Sequence, residues 1–413
     1  MNEKPDFNTL FKEIMPILSE SRNKQQERRE RGEDFNIFRT MRMQYNEVHT
    51  HSAMISALLN PKEYHGCKSS FLRAFLRQIN ELKRYEDNVY DLDNAVVEVE
   101  KPIGNISPNK ENGGRLDIVV KFKTKEDKLP ILVIIENKIY AADEEKQLLR
   151  YHNYAKRERC SKPYIFYLTL DGRLPDDYSA GKLKQGEDYY CISYRDDILN
   201  WLCDCQKEAN GKPLVHGIIT QYKDLVSTLT HQDMDKETQK KLATAIAEKH
   251  NYMIAASAIN NNYGQILNQM CEENLRPLYK KVAEDNDMNC HYYGNLWVEK
   301  NSGSDFKKES WKHLAVGFEF VKERLNCFCY GVKYQNNQGA MNQKAYKIVQ
   351  DEFDEFEKSH YGTWWPWYIQ DDKYPNWTCK EAIDALYDGT MQRHIDFILK
   401  EIAEKVDKIE QDM

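Results

Sequence analysis

The 413-residue sequence has no apolar run approaching the roughly 20 residues that a membrane-spanning helix needs. Its start, "MNEKPDFNTLFKEIM", lacks the apolar core of a secretory signal. Ten cysteines are present, but they are scattered, and the only close pairs are C-x-C (Cys203 and Cys205, Cys327 and Cys329). With no C-x-x-C, a zinc ribbon is disfavoured, and a chain this large without a secretory start does not read as a disulfide scaffold. These absences give the expectation of a cytoplasmic protein with reduced thiols and no membrane partner. A surplus of positive charge is also missing: net charge is −7, so nucleic acid would have to be met by a local patch, or with help from bound metal ions. Internal repeats and low-complexity tracts are absent beyond the charge run "SRNKQQERRERGED".

What is present describes an ordinary globular protein. Hydrophobic residues make up 41% and charged residues 30%, and the aromatic share of 12% includes 26 Tyr and 7 Trp. The length suits two domains. Residues 1–35 read as a short N-terminal helix and a charged linker. Residues 36–230 alternate between helix and strand patterns: two helices, three strands in "NAVVEVEKPI", "GRLDIVVKFK" and "LPILVIIENKIY", a helix over "DEEKQLLRYHNYAKRER" with acids in its first turn, strands "PYIFYLTL" and "YYCISY", then two helices. "KEDKL" reads as the turn of a hairpin. That order predicts an α/β core with a mixed sheet: a three-stranded meander followed by a helical crossover to a further strand. Residues 231–413 read as a separate α+β domain, helical over 237–285, with strands at "LWVEK", "HLAVGFEFV" and "CFCYGVKY", an aromatic loop "YGTWWPWYIQDDKYPNW", and a final helix over about 379–409.

The segment "ILVIIENKIY", residues 131–140, raises a chemical question. A fully apolar strand ends in Glu136 and Lys138, two positions apart and so on one face of the sheet. By itself the pair reads more readily as a solvated ion pair at a strand end than as part of a metal site. The preceding strand carries one carboxylate, Asp117, among apolar neighbours, where an acid is costly unless it is paired, neutralised or bound to a metal. If the two strands are adjacent, Asp117 and Glu136 sit side by side. A divalent cation would relieve their repulsion, and hard oxygen ligands select Mg²⁺ or Mn²⁺. The Asn137 backbone carbonyl is a further oxygen donor. Lys138 could orient water or balance phosphate charge. Gln147 and Tyr151 lie at i and i+4, on one helix face. Glu98 and Glu100 alternate on the first strand and share a face; one of them could reach the site, with an exposed strand edge as the favoured reading. The run "WWPWY" around Pro366 reads as a packed loop, with base stacking as the alternative.

"GRLDIVV", "IIENKIYA" and "QLLRY" taken together resemble the PD-(D/E)xK nuclease superfamily, and the Q-x-x-x-Y helix resembles its RecB-like branch. Upstream, "NEVHTHSAMISALLNPKEYHG" and "FLRAFL" are similar to the N-terminal part of bacterial PD-(D/E)xK nuclease family proteins. The resemblance spans about residues 36–230. It implies a restriction-endonuclease-like fold and metal-dependent phosphodiester hydrolysis on nucleic acid, with DNA the expected partner. It implies Asp117 and Glu136 as metal ligands, Lys138 as the catalytic lysine, Gln147 and Tyr151 as the auxiliary pair, and Glu47 as the acid of the first core helix. Leu116 stands where the motif's name has Pro, a frequent substitution. Cutting both strands of a duplex favours two active sites, hence a homodimer. The rival reading is a catalytically inactive module that grips nucleic acid or a partner protein.

Overall fold

The computed structural model describes residues 4–79, 90–124, 129–141, 143–160, 162–230, 234–335, 343–356, 359–362 and 364–412. The "KEDKL" turn and the end of the helix expected over "FLRAFLRQINELKRY" lie largely outside those residues. The chain divides into two compact units: Ser19–Thr238, and Met1–Leu18 together with Gln239–Met413. The division falls inside helix α1 (Phe7–Glu30), whose Leu10 packs with Tyr252 and Ala255.

In the first unit, α2 (Ile37–Thr40) leads to a wide π-helical turn, Glu47–Ser52, that continues into α3 (Ala53–Leu59) and is followed by α4 (Ser70–Gln78). Then come β1 (Tyr90–Pro102), β2 (Arg115–Thr124), β3 (Pro130–Asn137), α5 (Gln147–Arg157), β4 (Lys162–Thr169), α6 (Asp177–Ala180), β5 (Tyr190–Ser193), α7 (Leu199–Glu208) and α8 (Pro213–Leu229). The sheet order is β1-β2-β3-β4-β5. β1, β2 and β3 form an antiparallel meander, and β4 and β5 add in parallel. This is the mixed α/β core that the element order predicts. Helix α5 is the crossover between the parallel strands β3 and β4. β3 is central, and every residue from Ile131 to Asn137 is buried. A strand covered on both faces has no polar side to show, which is why its sequence reads as a continuous apolar run. One face packs Ile118, Val120, Val133 and Ile135 against α3, α4, α7 and α8. The other packs Val119, Leu132 and Ile134 against Leu148 and Tyr151 of α5.

Helix α5 starts later than the sequence pattern suggests. Its first turn holds no acid, because Lys146 takes a left-handed conformation (φ 56°) and breaks the helix from Asp143, Glu144 and Glu145. Arg150 then folds back over the break, donating to the Glu145 carbonyl and to the Glu144 carboxylate, each at 2.6 Å.

The second unit has helices α9 (Lys236–Ala247), α10 (His250–Asn261), α11 (Tyr263–Met270) and α12 (Arg276–Asp285). Strands β6 (Asn289–Tyr293), β7 (Ser302–Lys307), β8 (Leu314–Lys322) and β9 (Asn326–Tyr334) follow, then α13 (Gln343–Glu352), β10 (Trp367–Gln370), α14 (Lys380–Tyr387) and α15 (Thr390–Asp412). Its antiparallel sheet runs β10-β9-β8-β7-β6. "LWVEK" is not a strand: Asn295 accepts the backbone amides of Trp297 and Val298 and turns the chain there. The helix expected over 379–409 is two helices, broken at Gly389 (φ 80°).

Candidate active site

Pairing of β2 with β3 runs Val119↔Ile134 and Ile118↔Ile135, and the next step sets Asp117 opposite Glu136. Opposed residues share a face, so both carboxylates project on the side of the sheet that α5 covers. The strands hold them in place through one further bond: the Asn137 amide donates to Asp117 Oδ2 at 2.7 Å. A cleft of about 400 Å³ opens here, lined among others by Glu47, Glu100, Asp117, Lys138, Gln147 and Arg150.

Glu136 is fully buried. The Lys138 ammonium lies 2.8 Å from its Oε1, yet neither oxygen receives a well-formed hydrogen bond from the described residues. Burial, with the Glu136 charge opposite, raises the Asp117 carboxyl well above the ordinary carboxylate range. For Lys138, burial favours the neutral amine, but Glu136, Glu47 and Asp117 outweigh it and push its pKa above the usual lysine value. Lys138 is therefore an ammonium at neutral pH.

Glu47 stands at the first position of the π-helical turn. Its Oε1 accepts three consecutive amides after β3: Ile139 at 2.6 Å, Tyr140 at 3.0 Å and Ala141 at 2.9 Å. It holds the bend that carries Lys138 past the end of β3 and also borders the cleft. The Gln147 amide donates to Tyr151 Oη at 3.1 Å, and Tyr151 in turn donates to the Arg115 carbonyl at 2.7 Å. Burial, then Glu136 and Asp117, keeps the Tyr151 phenol far above its ordinary pKa. The Asn137 side chain faces the opposite way, bonding Ser52 Oγ (3.1 Å), the Glu47 carbonyl (3.2 Å) and the Tyr194 hydroxyl (2.7 Å). The structure thus gathers Glu47, Asp117, Glu136, Lys138, Gln147 and Tyr151 at one end of the sheet.

Two further residues border the cleft: Glu100, for which the sequence favours a strand edge over the site, and Arg150, which the sequence does not single out. Glu100 sits opposite Asp117, between the pairs Val99↔Ile118 and Lys101↔Leu116. Facing Asp117, it lies on the cleft side of the sheet, with φ 52°, and is ion-paired to Arg115 at 2.5 Å. Burial raises its carboxyl pKa. No sequence signal marks a left-handed Glu inside a strand pattern. Arg150 is the other. Its guanidinium is buried, and Gly114 (φ 104°) lets the loop before β2 close on it, since a Cβ there would lie 3.2 Å from Nε. Its place three residues after Gln147 was the available signal.

Two opposed buried carboxylates that share one ammonium and, at Glu136, lack a well-formed hydrogen bond fit a hard divalent cation, because the second buried charge is costly until a further cation compensates it. Among the described residues, no three His, Cys, Asp or Glu side chains converge as a ready-made metal cage.

Comparison with known proteins returns one family: the PD-(D/E)XK nuclease superfamily, whose model matches residues 35–224. Neither a curated protein nor a solved structure matches the chain.

Proposed function

From the premise that residues 35–224 are a PD-(D/E)XK nuclease superfamily segment, we propose that the chain is a metal-dependent nuclease that hydrolyses phosphodiester bonds of nucleic acid, with DNA as its substrate. The observation that carries this reading is the opposed pair Asp117 and Glu136, with Lys138 2.8 Å from Glu136. Asp117, Glu136 and the Asn137 carbonyl would hold Mg²⁺ or Mn²⁺. A divalent ion supplies Lewis acidity toward a phosphoryl oxygen and lowers the pKa of water.

The chain's own residues divide the remaining work. Lys138, charged and largely dehydrated, balances the anionic phosphate and orients the attacking water. Glu47 fixes the bend that aims it. Gln147 and Tyr151 brace the wall of the cleft through the Arg115 carbonyl. Arg150 presents a second buried cation on the phosphate side. Catalysis here is positioning and charge compensation, so each contribution depends on rigidity that the buried sheet provides.

The test incubates the purified chain with end-labelled single- and double-stranded DNA and RNA, in Mg²⁺, Mn²⁺ or EDTA, beside Asp117→Asn and Lys138→Ala. Cleavage in metal, lost in EDTA and in both variants, is the expected result. Equal cutting by all three proteins, or none under any condition, overturns it. Retained binding without cutting would establish the inactive module instead.

A further inference from the structure

The second unit contains a larger cleft, of about 550 Å³, on the face of its sheet turned away from the core. Along β8, Val316, Phe318 and Phe320 enter the core, so Gly317, Glu319 and Val321 face outward. The pairs Glu319↔Cys329, Gly317↔Gly331 and Asp305↔Gly317 extend that outer face across β9 and β7. Glycine is required at the centre of this face. A Cβ on Gly317 would meet Lys333 Cδ at 2.4 Å and the Trp365 ring at 2.6 Å, and one on Gly331 would meet the Trp367 carbonyl at 2.3 Å. The missing side chains let Trp365 and Lys333 lie against the sheet.

The "WWPWY" run divides here. Trp367 is fully buried and stacks on Phe353, with ring centroids 4.2 Å apart. Trp364, Trp365 and Tyr368 instead line the cleft, together with Tyr293. The walls therefore offer several aromatic faces, and the polar groups form one compact set. Glu319 is buried. Its Oε2 accepts from Tyr293 Oη at 2.9 Å and lies 3.7 Å from Lys333 Nζ. Lys333 also pairs with Asp305 at 3.1 Å and sits over the rings of Tyr293 (4.2 Å) and Trp365 (4.9 Å).

These groups select among ligands. The volume falls in the usual small-molecule range. A quaternary ammonium, the common guest of an aromatic box, is disfavoured because the Lys333 ammonium already occupies it. A flat ring with hydrogen-bonding groups on its edge suits the stacking faces. Its edge must give donors to the Glu319 carboxylate and, one atom along, an acceptor to Lys333. Guanine has that edge: N1–H and N2–H₂ face the two oxygens of one carboxylate, and O6 lies beside N1 for an ammonium. Cytosine offers only its amino group, adenine has no carbonyl, and the uracil N–H is flanked by carbonyls that a carboxylate repels.

We propose that this cleft binds a single unpaired guanine base, stacked on Trp365 and held at its edge by Glu319 and Lys333. It is a different site from the Asp117–Glu136 cleft, and its test needs no catalysis. Tryptophan fluorescence of the full chain in EDTA is titrated with GMP, AMP, CMP, UMP and the single strands d(TTGTT) and d(TTATT). GMP or d(TTGTT) quenches saturably, at least tenfold more tightly than AMP, UMP or d(TTATT). The tighter of the two tells whether the base comes as free nucleotide or within a strand. Glu319→Gln weakens that binding at least tenfold, and Asp117→Asn retains it. Trp364→Ala, at a position 55% exposed and so safe for folding, weakens it as well and decides the matter if Glu319→Gln fails to fold. No saturable quenching, equal affinity for all four nucleotides, wild-type binding by both cleft variants, or loss of binding in Asp117→Asn would overturn the proposal.

Discussion

The two clefts place buried acids in opposite circumstances. In the first unit, Glu136 has one cation beside it, no well-formed hydrogen bond and a second carboxylate across the strand. In the second, Glu319 and Asp305 share Lys333, and Tyr293 donates to Glu319. In each cleft a pair of carboxylates shares one ammonium. What differs is the hydrogen bonding, missing at Glu136 among the described residues and supplied to Glu319 by Tyr293. That suits the first cleft to a cation arriving from outside and the second to a ligand read by shape and hydrogen-bond pattern. One chain thus builds its two clefts on the same physical cost, that of burying a carboxylate, and resolves it in two ways.

The largest effect that can break this contrast is on activity. Asp117→Asn or Lys138→Ala should reduce phosphodiester cleavage about 10²–10³-fold, the scale expected when preorganised charge stabilisation is removed. Activity surviving either change would mean that the first cleft does not do the chemistry. Glu319→Gln should leave cleavage of a guanine-free strand at the wild-type rate, measured in the same gel assay.

Next in size is the packing of the second cleft's loop. Trp367→Ala should cost about 3–5 kcal/mol of the second unit's stability, as for other buried aromatics. Trp364→Ala, exposed on the same loop, should stay within about 0.5 kcal/mol. Denaturant unfolding followed by far-UV circular dichroism compares them, and equal losses would refute the division of the loop into core and cleft residues.

The two units should also separate with pH. His51 is buried between the Tyr222 hydroxyl (3.1 Å) and the Gln44 carbonyl (3.0 Å), and burial lowers its pKa to about 4. Its folded value lies below its unfolded value of 6.5, so its contribution is complete above pH 6.5 and is lost as pH falls toward 4. At about 1.4 kcal/mol per pH unit, the first unit loses about 2 kcal/mol between pH 6.5 and 5. In the second unit, burial raises the carboxyls of Glu319 and Asp305. Raised acids work the other way: the folded state holds its protons longer, so their contribution improves as pH falls. The first unit's Asp117 and Glu100 carboxyls are raised too and act in that same direction, so the His51 loss is read by difference. Calorimetry from pH 7.5 to 5 should show the first unit of His51→Gln losing less stability to acid than that of the wild type, with the second unit's transition the same in both.

The smallest effect concerns the unoffset charge itself. Asp117→Asn keeps the acceptor for the Asn137 amide but ends the repulsion with Glu136. In EDTA it should gain about 1 kcal/mol, or about 2–4 °C in Tm. Adding Mn²⁺ should raise the wild-type Tm but not the variant's. A variant less stable than wild type in EDTA would show that the Asp117 charge is already compensated.

Much of the first unit was legible because its signals are local or strictly periodic. A short apolar run rich in β-branched residues reads as a strand buried on both faces, and alternation puts Glu136 and Lys138 on one side, where the β2–β3 register adds Asp117. Gln147 and Tyr151 follow from helical spacing. The acids before α5 misled, because the pattern gives no sign that Lys146 turns left-handed and starts the helix after them. "LWVEK" misled because its apolar residues pack from a turn held by the Asn295 side chain. Glu100 was legible only as one of two acids that could reach the site, because alternation puts both on one face and only the register sets Glu100 opposite Asp117. Arg150 had helical spacing as its one signal, and its burial depends on a loop closing at Gly114.

The second cleft shows the limit most clearly. "WWPWY" gives aromatics without saying which face each one meets, and Gly317, Glu319 and Lys333 are unremarkable within their own strands. By itself, the sequence determined the order of strands and helices in the first unit's core and the chemistry at the end of β3, since both rest on neighbours a few residues apart. Only the tertiary structure decided that Glu136 has no well-formed hydrogen bond, that Glu100 joins Asp117, and that glycines on neighbouring strands make room for Trp365. Those facts depend on strand register and on backbone angles set by contacts between segments far apart in the chain.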